Sequence, residues 1–163
     1  MRKRIVFVVG HEKWGKSLTL RGLKELCGSR GMNVTIKDTV FFVRSMSNDD
    51  LPASFNRFIS RLFSTAPKPA VIAALCPKFK KLQNFDQSDG AIDETLQSLR
   101  QGGYDIFFWV IEQAWEGTRK VSQKEIAELR HYGHVEVFEG NRQEYKSRAR
   151  RLRTFVSDVV LAA

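Results

Sequence analysis

Apolar positions along the 163-residue chain fall into short dense runs, separated by longer stretches in which they recur at helical spacing. Five runs stand out, at 5–9, 34–36, 70–76, 106–111 and 135–138. They are rich in β-branched and aromatic residues, and several are apolar without alternation, the pattern of parallel strands buried on both faces. Between them the spacing predicts a helix over 17–27, stopped by Gly28 and Gly31. A second is predicted over 53–63, where Phe55, Phe58, Ile59, Leu62 and Phe63 share a face behind Pro52. Further helices are expected over 91–100, over 122–132 and from 142 to the carboxyl end, while 78–90 reads as irregular. Strand and helix in alternation, with no dividing linker and no repeat, predict one α/β domain over 1–163. Its expected form is three layers around a five-stranded parallel sheet.

Composition narrows the function classes. A hydrophobic content of 42% suits one compact core, and no apolar run is long enough to span a bilayer. The opening Met-Arg-Lys-Arg leads into a run too short for a secretory signal. Two cysteines, Cys27 and Cys76, imply no disulfide framework and point to the reducing cytoplasm. Lys and Arg number 27 against 18 acids, a formal charge of +9. That excess favours a polyanionic partner, nucleic acid first, over a basic enzyme that handles only small phosphates.

The stretch "GHEKWGKS" fits G-x-x-x-x-G-K-[ST], with Gly10, Gly15, Lys16 and Ser17 in register. It follows an apolar run and opens a predicted helix, the context in which such a loop cradles phosphate. Backbone N–H groups and the positive end of the helix would hold the β-phosphate of a nucleoside triphosphate. Lys16 would neutralise the β- and γ-phosphates, and the Ser17 hydroxyl would ligate Mg²⁺. The whole stretch from Gly10 to Leu18 is therefore a candidate ATP-binding segment. Its interior is unusual: Lys13 offers a further phosphate contact, His11 and Glu12 stand at the mouth, and Trp14 either stacks on a base or covers the loop.

By these residues the chain resembles the small P-loop kinases, the group of nucleoside, gluconate, adenylylsulfate and polynucleotide kinases. Beside the loop, two segments carry the likeness: "VTIKDTVFFVRSM", residues 34–46, and "AVIAALCPKFKK", residues 70–81. The resemblance implies that Asp38, read as the end of the second strand, is the general base or orienter of the acceptor hydroxyl. It also implies that Arg44 follows in a catalytic role, and Asp38 with Ser17 is the candidate metal pair. Independently, a carboxylate off the carboxyl end of a parallel strand is placed to take a proton, although Asp-Thr is equally ordinary turn chemistry. The third strand ends in Ala74-Leu75-Cys76, without the acid of a typical Walker B motif; Glu112 is the next acid at a strand end. No guanine-selecting Asn/Thr-Lys-x-Asp motif occurs. Both facts weigh against a motor or a GTPase switch more than against a kinase.

The segment "EQAWEGTRKVSQKE" stands where these kinases carry a lid, with Arg119 and Lys120 as candidates to reach the transferring phosphoryl and Gly117 as its hinge. In the last helix, Tyr145, Ala149, Leu152, Val156 and Val159 form an apolar stripe. Arg142, Lys146, Arg150 and Arg153 fall beside it, and Arg148 and Arg151 beyond. Together with Arg57, Arg61, Lys78, Lys80 and Lys81, that face suits a nucleic-acid backbone, and Phe41, Phe42 or Trp115 could receive an extruded base. Size, charge and loop resemble the phage kinases that phosphorylate hydroxymethyluracil in DNA. The expected activity is therefore ATP- and Mg²⁺-dependent phosphorylation of a hydroxyl, with DNA as acceptor and the host cytoplasm as location. A kinase of a free nucleotide or small metabolite, and a nucleic-acid-binding NTPase switch, are the alternatives.

Overall fold

A computed structural model describes residues 2–29, 31–64, 68–82, 90–114, 119–139 and 145–163, with Tyr145 described by its backbone alone. Six strands form one sheet: β1 (Lys3–Val9), β2 (Asn33–Ile36), β3 (Thr39–Arg44), β4 (Ala70–Leu75), β5 (Tyr104–Ile111) and β6 (His134–Phe138). Their order is β2-β3-β4-β1-β5-β6. The last five in that row run parallel, and β2 pairs antiparallel with β3. The helices are α1 (Lys16–Leu26), α2 (Pro52–Arg61), α3 (Asp93–Gln101), α4 (Gln123–Arg130) and α5 (Tyr145–Phe155), the last continuing into a wider π-helical turn, Val156–Val160.

The architecture is the expected α/β one, but the sheet has six strands and one of them is antiparallel, in place of five parallel ones. The difference arises at Lys37 and Asp38, which adopt φ of 46° and 66°. Two successive left-handed residues make the tight turn that suits a twisted hairpin. The chain therefore reverses there and returns as β3, the true parallel neighbour of β4. The run at 34–36 is only the outer edge strand.

Unalternating apolar runs occupy the middle of the sheet, as their composition requires. Ile5 to Val9 in β1 and Val71 to Leu75 in β4 are completely buried. The chain leaves β1 toward β3 in one direction and thereafter steps β3, β4, β5, β6 in the other. Right-handed crossovers then put α1 on one face and α2, α3 and α4 on the opposite face. Consistently, α1 packs on α5, α3 on β5 and α4 on β6. Apolar faces hold these layers: Leu20 and Leu23 of α1, Phe55, Phe58 and Ile59 of α2, Leu96 and Leu99 of α3, Ile126 and Leu129 of α4, and Ala149 and Leu152 of α5.

This topology singles out one place. The connections after β1 and β4, adjacent strands, depart over opposite faces, so a crevice opens between their carboxyl ends. The candidate loop starts there. Among the described residues no helix is long and apolar enough to cross a membrane.

Candidate active site

Gly10 leaves β1 with its N–H bonded to the Leu75 carbonyl, 3.1 Å, so the loop begins locked to β4. Lys13 and Gly15 take left-handed φ of 66° and 91°, and Trp14 between them does not. Backbone that alternates in hand turns successive N–H groups toward one concave side, a shape suited to anions. A side chain at Gly15 would stand 2.8 Å from a guanidinium nitrogen of Arg148, and the φ there is glycine's own. Helix α1 then starts at Lys16 with no side-chain cap and no acid in its first turn. Its amino-terminal donors and dipole are left for something else to satisfy.

Lys16 is 6% exposed. Its ammonium donates to the Gly10 carbonyl at 2.6 Å and the His11 carbonyl at 3.1 Å, which folds the side chain back over the loop. Ser17 is exposed and donates to the Ser45 carbonyl at 3.2 Å, joining the first turn of α1 to the end of β3. Glu12, Lys13 and Leu18 are exposed around it. Trp14 departs from both readings of it. At 2% exposure it is part of the core, and its carbonyl accepts from Arg148 at 2.7 Å. It anchors the loop from below, and no face of its ring is open for a base.

A group invisible to the motif completes the site. The segment Ser47-Asn48-Asp49-Asp50 follows β3 over the same rim. Asn48 is 1% exposed, and its amide pairs with both backbone groups of Cys76, accepting from the N–H at 2.7 Å and donating to the carbonyl at 3.0 Å. A further bond from Asn48 to the Gly90 carbonyl, 2.6 Å, ties in the next loop. So fastened, Asn48 presents Asp49, whose carboxylate accepts from the Ser47 hydroxyl and lies 3.9 Å from the Lys16 ammonium. Both side chains of this pair are less than a tenth exposed. At such a site the attraction of about 4 kcal/mol at an effective dielectric near 20 is largely offset by desolvation, so the pair is held for arrangement more than for stability.

His11 closes the other side. Its Nε2 lies 2.9 Å from the Glu125 carboxylate and its Nδ1 3.9 Å from the Cys76 sulfur. Glu125 also accepts from the Ser122 N–H at 2.8 Å, while the Ser122 hydroxyl accepts from the Glu125 N–H at 3.1 Å, a complete capping box at the start of α4. Burial pushes the Glu125 carboxyl up, but the His11 and Ser122 bonds outweigh it and hold its pKa below the ordinary value. Cysteine, histidine and glutamate in a row suggest a nucleophilic triad. Burial, then the Asp49 charge, push the Cys76 thiol up to about 12, so it stays protonated and unreactive at neutral pH.

Several expected site residues stand elsewhere. Asp38 is in the hairpin turn before β3, at the amino-end rim of the parallel sheet, so the premise that it ends a strand beside the loop does not hold. Asp38 and Ser17 are thus on opposite rims and form no metal pair. Among the described residues no three His, Cys, Asp or Glu side chains gather in a way that could hold a metal ion by themselves. Arg44 ends β3 but turns to α2, donating to the Ser54 hydroxyl at 2.6 Å with its guanidinium over the Phe58 ring. Arg119 is exposed, and its carbonyl accepts from the Ala114 N–H at 2.8 Å. Phe41 is wholly buried, whereas Phe42 is half-buried. Trp115, Gly117 and Arg142 lie outside the described residues. Arg148, counted with the basic helix face, is 1% exposed beneath the loop.

No family model, no curated protein and no solved structure matches the chain.

Proposed function

We propose that the protein is a phosphotransferase that moves the γ-phosphate of ATP to a hydroxyl group, best assigned to the hydroxymethyl of hydroxymethyluracil in DNA. One observation carries the reading. A buried lysine at the uncapped start of α1 faces a buried carboxylate from the segment that follows β3, in the crevice where parallel sheets bind ligands.

The residues divide the work as follows. The loop N–H groups and the first turn of α1 receive the β-phosphate, and Lys16 swings from the Gly10 and His11 carbonyls to the β–γ oxygens. Asp49, not Asp38, takes the proton of the acceptor hydroxyl as its oxygen bonds to the γ-phosphorus. The bond to the β–γ bridging oxygen breaks, and ADP leaves with that electron pair. Magnesium in such sites is held chiefly by phosphate oxygens and water, and Ser17 would be its protein hydroxyl ligand. Bound there, the ion would neutralise charge on the transferring phosphoryl.

Two features favour a nucleic-acid acceptor. The first is the charge of +9. The second is the apolar rim: Leu18 and Met46, neighbours in sequence of the bonded Ser17 and Ser45, are 44% and 42% exposed, with Leu51 at 47% just beyond Asp50. An apolar lip beside a proton acceptor suits the face of a pyrimidine. The test is transfer of radiolabelled γ-phosphate to hydroxymethyluracil-containing DNA, unmodified DNA, RNA and free nucleosides, read by nucleoside mass analysis. Label on the hydroxymethyl group of DNA alone is expected. Label only on free nucleosides makes the protein a metabolite kinase, and ATP hydrolysis with no labelled acceptor makes it a switch.

A further inference from the structure

Away from the loop, one surface gathers cations that no ion pair among the described residues engages. Along β3 the side chains alternate: Phe41 and Val43 are buried against the α1 side, so Val40, Phe42 and Arg44 line the other face. Val40 is 56% exposed, and Phe42 stacks on Phe58 of α2 with centroids 6.0 Å apart. The Lys68 ammonium sits 4.6 Å from the Phe42 ring, and the Arg44 guanidinium 5.2 Å from the Phe58 ring. One and two turns along α2 from Ser54, which Arg44 binds, stand Arg57 and Arg61, both exposed.

Neither 39–45 nor 51–64 contains an acid. Among the described residues, no ion pair engages Arg44, Arg57, Arg61 or Lys68. Three of these cations crowd one another: burial, then Arg61 and Arg57, lower the pKa of Arg44. Such a group repels itself until an extended anion lies across it. The basic face of α5 is different. There Arg150 and Arg151 share their surroundings with Glu139, and Arg151 lies over the Phe138 ring.

The strip also has a direction. Phe42 pairs in register with Val71 near the start of β4, Arg44 with Ala73 further up, and the next residue, Ser45, is the one bonded to Ser17. It therefore climbs the sheet to the rim that bears Lys16 and Asp49.

We propose that the outward face of β3 with α2 is a track for a single strand of DNA. Arg44, Arg57, Arg61 and Lys68 take its phosphates, and Val40 and Phe42 meet a base. A single strand fits better than a duplex, because the half-buried Phe42 ring, uncovered as Lys68 turns from it to a phosphate, offers a stacking partner that only an unpaired base can use. The inference rests on the phosphotransferase reading for what happens at the end of the track, but binding along it needs neither ATP nor turnover.

The test is fluorescence anisotropy of a labelled twelve-nucleotide thymidine-rich oligonucleotide, titrated without ATP at several salt concentrations. Four phosphate contacts give a log–log salt slope of about −3 for a single strand. In an Arg57→Gln/Arg61→Gln variant the slope should lose about 1.4 units, and affinity should fall at least about tenfold. Phe42→Leu should weaken binding with the slope unchanged, and thermal unfolding checks that each variant is folded. If Arg150→Gln/Arg151→Gln takes the slope down instead, or if a duplex of equal length binds more tightly than the single strand, the track is wrong. Failure to bind any oligonucleotide, with label still passing to free nucleosides, overturns the track and leaves the phosphotransferase. Binding along the track with no labelled acceptor upholds the track and overturns the phosphotransferase.

Discussion

Asp38 and Asp49 stand at opposite ends of the same strand, and their surroundings share almost nothing. Asp38 forms half of an exposed reverse turn, in a left-handed conformation, at the rim away from the loop. Asp49 follows the other end, buried, fastened through Asn48 to the β4 backbone and facing Lys16 across 3.9 Å. In a parallel sheet the end of the strand, not proximity to a strand, decides whether a carboxylate meets the ligand crevice. A hairpin inserted before β3 exchanged the two.

Substitutions on the active rim should be severe and those on the other mild. Lys16→Ala should cut phosphoryl transfer by at least about a thousandfold, as loss of a group that stabilises transition-state charge does; steady-state kinetics beside an unfolding curve would show it. Asp49→Asn should lower kcat by about a hundred- to ten-thousandfold with the KM for ATP little changed, whereas Asp38→Asn leaves both as they are. Equal losses at the two positions would break the comparison. Asn48→Ala removes three hydrogen bonds in the interior and should cost about 2–4 kcal/mol in denaturant unfolding, with turnover falling as Asp49 loses its support. At the far rim the sign reverses: Lys37→Asn with Asp38→Gly fits the left-handed turn and should stabilise by about 1 kcal/mol, raising Tm without touching activity.

The smallest effect concerns pH. The Glu125 carboxyl is held below its ordinary pKa, so its contribution to stability is present above the unfolded value of about 4.3 and is lost as pH falls through the folded one. His11→Gln should lower neutral stability by less than about 1 kcal/mol and flatten that acid limb by the same amount, leaving stability in strong acid nearly unchanged.

The sequence was most readable where the geometry is local. Residues 10–17 form one contiguous motif on a strand-to-helix turn, and the structure places that turn at the strand end the pattern implied. The core strands were readable because their side chains face apolar neighbours on both sides. Asn48, Asp49 and Glu125 were not, since the site draws them from two separate segments, one after β3 and one at the start of α4, and each is an ordinary polar residue until the sheet brings both segments to one rim. The hairpin was missed because Lys37 and Asp38 make a glycine-requiring kind of turn without glycine. Arg148 did leave a trace: it precedes Leu152 by four, on the edge of the apolar stripe, where a solvated arginine does not belong.

That arginine has a consequence for how the molecule is made. The loop is among the first residues to be synthesised, yet the guanidinium that fastens the Trp14 carbonyl is joined 134 positions later. Synthesis therefore delivers the loop early and its latch almost last. A nascent chain halted before α5 would possess every residue of the motif and lack the guanidinium that fastens it from beneath.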